Sequence, residues 1–142
     1  MEENKVVVNF LSLSENEALA RNIAVFYVLK FNPNVSVVSD IKTAVSEAVT
    51  NSIVHGYPDN TGNITMECYI KGDLLHINVI DEGVGINDVN SAIEPFFTTR
   101  EKEEHSGMGF TIMKSFMDSV DVISEPNKGV KVYMTKKLKA NC

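Results

Sequence analysis

Three short clusters in the chain have residue types and spacings that could do chemistry. The first is a carboxylate, an amide and an imidazole recurring at every fourth position, Glu47, Asn51 and His55. On a helix each step of four overshoots a full turn by about 40°, so the three form one polar stripe. The same stripe also fits a solvated helix face, and one histidine with one glutamate is too few ligands for zinc. The second cluster is Asp81-Glu82-Gly83-Val84-Gly85-Ile86, directly after a strand-like run. Its glycines admit backbone approaches that side chains block. Its aspartate can accept a hydrogen bond from an exocyclic amine such as that of adenine. A tight turn capped by an aspartate is the plainer alternative. The third is Ser106-Gly107-Met108-Gly109-Phe110, opening a helix, where free N–H groups and the helix dipole favour a phosphate. A hinge would use the same glycines.

These clusters need elements to position them. Val6 to Leu11 is rich in β-branched residues and reads as a strand. Ser14 followed by Glu17 is a capping-box pattern, predicting a helix to about Phe31 with Ala18, Leu19, Ile23, Phe26 and Tyr27 on its apolar side. A second helix is predicted from about Val37 to His55, burying Ile41, Ala44, Val45, Ala48, Val49 and Ser52. Ile64 to Ile70 and Leu74 to Ile80 read as a hairpin around Lys71-Gly72-Asp73. A short helical piece near Asp88 to Ile93 and a polar loop from Thr98 to Ser106 follow. A helix from Gly109 to Met117, with Phe110, Met113, Phe116 and Met117 inward, leads to a last hairpin, Val120 to Ser124 and Val130 to Leu138. Strands and helices do not alternate strictly. The expected fold is therefore α+β, a two-layer α/β sandwich with a mixed sheet and helices on one face, as a single domain over 1–142.

Composition narrows the function classes. Thirteen basic and nineteen acidic residues leave a net charge of −6, which argues against direct nucleic-acid binding. The two cysteines, Cys68 and Cys142, do not make a disulfide framework, and a reducing cytoplasm fits better. Residues 1–5 lack the pattern of a secretion signal, and no apolar run approaches the length of about 20 residues that spans a bilayer, so no membrane association is expected. The P-loop, dinucleotide and protein-kinase motifs are all missing.

A helical Glu-x-x-x-Asn, then Asp-x-Gly-x-Gly after a strand, then Gly-x-Gly after a loop resembles the GHKL ATPase family. The stretch Ile41 to Tyr57, Glu94-Pro-Phe-Phe-Thr-Thr99, Ser106 to Met113 and Phe116-Met-Asp118 are similar to the anti-sigma factors of that family that double as serine protein kinases. The similarity runs from about residue 5 to residue 138. It implies the GHKL (Bergerat) ATP-binding fold with ATP and Mg²⁺ as cofactors. Asn51 would hold the Mg²⁺ and Glu47 would take the proton of an attacking serine. Asp81 would read adenine, with Gly83 and Gly85 letting the base pack close and His55 in the nucleotide site. Ser106, Gly107, Met108 and Gly109 would wrap the phosphates. Residues 94–106, with Thr98 and Thr99, would form an ATP lid. The resemblance also implies a sporulation sigma factor of the sigma F type as partner, bound near Arg21. It further implies an anti-anti-sigma protein phosphorylated on serine, and a homodimer with the first strand as a candidate edge.

Three positions depart from the family pattern. Val130 and Lys131 replace threonines after the glycine of the last hairpin, and His105 stands where arginine is common. An imidazole there would titrate near about pH 6.5. Two other readings of the motifs stay open: a non-catalytic, ATP-dependent partner-binding module, and a detached histidine-kinase ATP domain.

Overall fold

Burial alternates with period two along five strands in the computed structural model, which describes residues 4–85 and 109–138. The strands are β1 (Val6–Leu11), β2 (Asn63–Lys71), β3 (Leu74–Asp81), β4 (Ser119–Ser124) and β5 (Val130–Lys137). Among the described residues three α-helices accompany them: α1 (Glu15–Leu29), α2 (Val35–Asn51) and α3 (Gly109–Phe116). Ile64, Met66 and Cys68 of β2, Leu75, Ile77 and Val79 of β3, and Val132 and Met134 of β5 form the buried sheet face. Ile41, Val45 and Val49 of α2 are fully buried in the same core. Each such side chain contributes about 1.5–3 kcal/mol, which together fix the rotation of α2 about its axis.

The α+β sandwich with helices on one face is therefore the observed architecture. The sheet differs in one respect from the expected mixed pairing. Its order is β1-β2-β3-β5-β4, and every neighbouring pair is antiparallel. The connections explain this. Two helices in succession separate β1 from β2 and return the chain in the opposite direction, while β2–β3 and β4–β5 are hairpins. The single crossover through α3 makes β3 and β4 co-directional, but β5 lies between them.

Three local expectations also change. Ser14 stands before α1 without a side-chain cap, its own backbone being helical (φ −57°, ψ −32°), and Glu17 pairs with Arg21 instead. The buried face of α1 is Ala20, Ala24, Tyr27 and Val28, leaving Leu19 and Phe26 exposed. Alanines allow α1 to lie close to α2, and that stripe wins over the bulkier one beside it. Phe116 sits at the rim of the core while Phe110, Met113 and Met117 are buried. The piece near 88–93 and the loop from 98 to 106 lie outside the described residues. Among the described residues no helix is long and apolar enough to cross a membrane.

Candidate functional site

The α-helical geometry of α2 ends at Asn51 and gives way to a π-helical turn, Ser52–Gly56. Such wider turns inside helices often mark functional sites. Here the turn aims Ser52 and Gly56 at the end of β3. Ser52 Oγ donates to Asp81 Oδ2 at 2.8 Å. The N–H groups of Gly83 and Val130 donate to Asp81 Oδ1 at 3.0 and 3.2 Å. Asp81 is buried, and that burial pushes its carboxyl above the ordinary value, while the three donors pull it back. A carboxylate offers roughly four acceptor positions, so three donors leave one for a further N–H, such as a purine amine.

The loop after Asp81 is tied down from two sides. The Val84 N–H donates to the Gly56 carbonyl at 3.0 Å. A Cβ on Gly83 would collide with that same carbonyl, so only glycine fits between the π turn and the loop. Gly85, at φ +76°, closes the loop against the carbonyl of Glu125, and the Asn127 N–H donates to the Val84 carbonyl at 2.6 Å. Beneath the loop, the buried Tyr57 hydroxyl accepts from the Glu82 N–H at 2.8 Å and donates to the Asn63 carbonyl at 2.7 Å. Burial is the main reason its phenol titrates above the ordinary value.

One turn before the π turn, α2 presents Glu47 and Asn51. Glu47 is half-buried, with Oε2 shielded from solvent. Asn51 meets Gly109, the first residue of α3, so closely that a Cβ there would collide with the amide. The Asn51 Nδ2 atom is shielded from solvent and has no hydrogen-bond partner among the described residues. The structure thus brings Asn51, Asp81, Gly83, Gly85 and Gly109 together, with Glu47 one turn away. His55 lies inside the π turn, four residues after Asn51. Thr98, Thr99, Ser106, Gly107 and Met108, the lid at 94–106 and His105 lie outside the described residues. Arg21 is on α1, its Nε 3.0 Å from Glu17 Oε2, far from free in solution.

Val130 serves Asp81 through its backbone N–H, so the missing threonine hydroxyl leaves that bond in place. Lys131 points to the opposite, exposed side of β5. Two site residues escaped the sequence reading. Ser52 carried a signal, being the one polar member of the buried α2 stripe. Tyr57 carried none beyond the general need of a buried phenol for a partner. Among the described residues no group of three or more His, Cys, Asp or Glu could hold a metal alone. The Asn51 side chain offers one amide oxygen, the hard donor type that Mg²⁺ takes, and Mg²⁺ needs few protein ligands because phosphates and water complete its shell, whereas the unpartnered Nδ2 is a donor suited to an anionic oxygen.

A layered α+β fold with an aspartate-anchored glycine loop beside a helical asparagine defines an ATPase-type domain. The family model described as histidine kinase-like ATPase domain matches residues 11–136, and the chain belongs to that family. Within it, the chain belongs with the anti-sigma F factors. It is 50% identical to the anti-sigma F factor of Thermoanaerobacter sp. (strain X514) over 133 residues, 94% of this chain and 93% of that one. It is 48% identical to that of Oceanobacillus iheyensis, over 96% of this chain and 94% of the relative. Among solved structures, the RsbU and RsbW domains of Rv1364c from Mycobacterium tuberculosis superpose with a TM-score of 0.70 at 17% identity, covering 95% of this chain and 32% of that one. The catalytic domain of the histidine kinase ThkA gives 0.60 at 18% identity, covering 98% and 97%. These two likenesses speak for the fold.

Proposed function

We propose that the protein is an anti-sigma factor that binds a sporulation sigma factor of the sigma F type and phosphorylates a serine of an anti-anti-sigma protein with Mg-ATP. The observation that carries this reading is the meeting of the three motifs: Asp81 bound by Ser52, the residue next to Asn51, with Asn51 against Gly109. Asp81 takes the adenine amine at its remaining acceptor position, and Gly83 keeps the loop close to the base. Asn51 holds the magnesium through its amide oxygen. Mg²⁺ held there would neutralise phosphate charge. Glu47 accepts the proton of the serine hydroxyl as its oxygen bonds to the γ-phosphorus and the bond to the β-phosphate oxygen breaks, releasing ADP. Positioning and charge neutralisation supply most of the rate.

Ser106, Gly107, Met108 and Gly109 wrap the phosphates, Thr98 and Thr99 belong to the lid at 94–106, and His55 borders the nucleotide. Arg21 marks the partner surface. The protein acts in the cytoplasm as a single-domain homodimer, for which β1, an edge of the described sheet, is a candidate contact. A phosphotransfer assay tests the reading, with γ-labelled ATP, Mg²⁺ and a candidate anti-anti-sigma protein. Label on a substrate serine supports it. Confirmed ATP binding without label would leave a nucleotide-dependent binding module. Label on this chain or on a histidine of a partner would favour a histidine-kinase domain.

A further inference from the structure

Away from the nucleotide motifs, one cation joins the sheet to two helices. Lys136 is on β5, paired with Leu75 of β3, and its side chain points to the helical layer. It is only 13% exposed, and its Nζ donates to Asp40 Oδ2 of α2 at 3.1 Å and to the Phe116 carbonyl at 2.6 Å. Phe116 is the last residue of α3, whose terminal carbonyls have no partner within the helix and carry the negative end of its dipole. Lys136 therefore holds α3 by its C-terminal end. The backbone behind it is fixed as well: the Asp118 N–H donates to the Thr135 carbonyl at 2.8 Å, and the Lys137 N–H to Asp118 Oδ2 at 2.6 Å.

The opposite end of α3 is Gly109, against Asn51. Asp40 and Asn51 are eleven residues apart on α2, which at about 100° per residue places them within about 20° of one face. Glu47, seven residues after Asp40, shares that face. One face of α2 thus receives both ends of α3, Phe116 through Lys136 and Asp40, and Gly109 directly at Asn51.

We propose that Lys136 is a positioning residue for the phosphate end of the site, fixing where α3 sits along α2 and so where Gly109 meets Asn51. It touches no ligand. The Asp81 end, built from the π turn, β3 and the start of β5, does not depend on it. The inference rests on the nucleotide reading of the site. Without the lysine, α3 keeps its buried Phe110 and Met113 but loses its C-terminal anchor, and its first turn shifts against Asn51.

The test compares ATP, with Mg²⁺, and adenosine by calorimetry, using unaltered protein, Lys136→Met and Lys136→Arg. The methionine keeps most of the apolar stem and removes the charge. ATP binding is expected to weaken about five- to tenfold in Lys136→Met, with adenosine binding unchanged and Lys136→Arg close to unaltered protein. Equal loss of both ligands, or unchanged ATP affinity, would overturn the proposal and leave the lysine a stability contact. Should Lys136→Met not fold, Asp40→Asn gives the same split in weaker form, and no split there is equally contrary. If the unaltered protein binds adenosine but not ATP, or neither, the site reading itself falls and this proposal with it.

Discussion

At the end of β3, Asp81 accepts three hydrogen bonds from the chain itself, and the loop after it is pinned by Gly56 and Tyr57. One step back along α2, Asn51 keeps a buried amide nitrogen without a partner among the described residues and meets α3 at a glycine. The first region is fixed by the chain itself, and on the proposed reading it receives the base. The second keeps an unmet N–H donor, which an anionic oxygen would satisfy. Base recognition needs a fixed pattern of donors and acceptors, which a folded chain can preorganise. Phosphoryl transfer needs groups that meet their partners only when ligand arrives, so an unmet polar atom is retained there at some cost in stability.

Several changes would break or sharpen that contrast. The largest effect belongs to the phosphate end. Glu47→Ala should lower serine phosphorylation about 10²- to 10⁴-fold while ATP affinity stays within a few-fold, read by single-turnover phosphotransfer beside calorimetry. Normal turnover would remove Glu47 as base. At the base end, Gly83→Ala drives a Cβ into the Gly56 carbonyl and should cost about 3 kcal/mol in denaturant unfolding, with adenosine binding lost. A neutral result would mean the loop is free to move. Tyr57→Phe deprives the Glu82 N–H and Asn63 carbonyl of their shared partner and should cost about 1.5 kcal/mol, with base affinity falling more than phosphotransfer from bound ATP.

The smallest effect is a difference in pH dependence between two carboxylates. Asp81 titrates above its ordinary value of 3.8 because it is buried, so the folded state binds its proton more tightly, and stability falls as pH rises from 3.8 through the folded pKa. Glu67, on the open face of the sheet, titrates below its ordinary 4.5 because Asn78 donates to it, with Lys5 adding to the effect. Its contribution is present above 4.5 and is lost as pH falls through the folded pKa. Urea midpoints across acid pH should therefore rise more steeply with pH in Asp81→Asn above 3.8, and less steeply in Glu67→Gln below 4.5. Opposite slopes would show that the burial assigned to Asp81 does not govern its proton.

Periodicity made the strands and the inward face of α2 legible, because fully buried positions such as Ile41, Val45 and Ile77 leave an unambiguous pattern. It failed on α1, where two apolar stripes overlap and helix–helix distance selects the alanines. Nothing local in Ser52–Gly56 announces the π turn: it is fixed by what its ends bind, the Asp81 carboxylate and the Val84 N–H. For the same reason Asp81 and the glycines stood out as motif residues, while Ser52, Tyr57 and Lys136 act through partners 29, 25 and 96 residues away.

The proposed division of the site into a base end fixed by the chain and a phosphate end with an unmet donor is tested most directly by titrating adenosine and Mg-ATP into Asp81→Asn and Asn51→Ala. Asp81→Asn should lose both ligands. Asn51→Ala should bind adenosine as the unaltered protein does, with Mg-ATP reduced about 10- to 100-fold and no longer sensitive to removal of Mg²⁺. Adenosine binding unaffected by Asp81→Asn, or Asn51→Ala weakening both ligands alike, would contradict it.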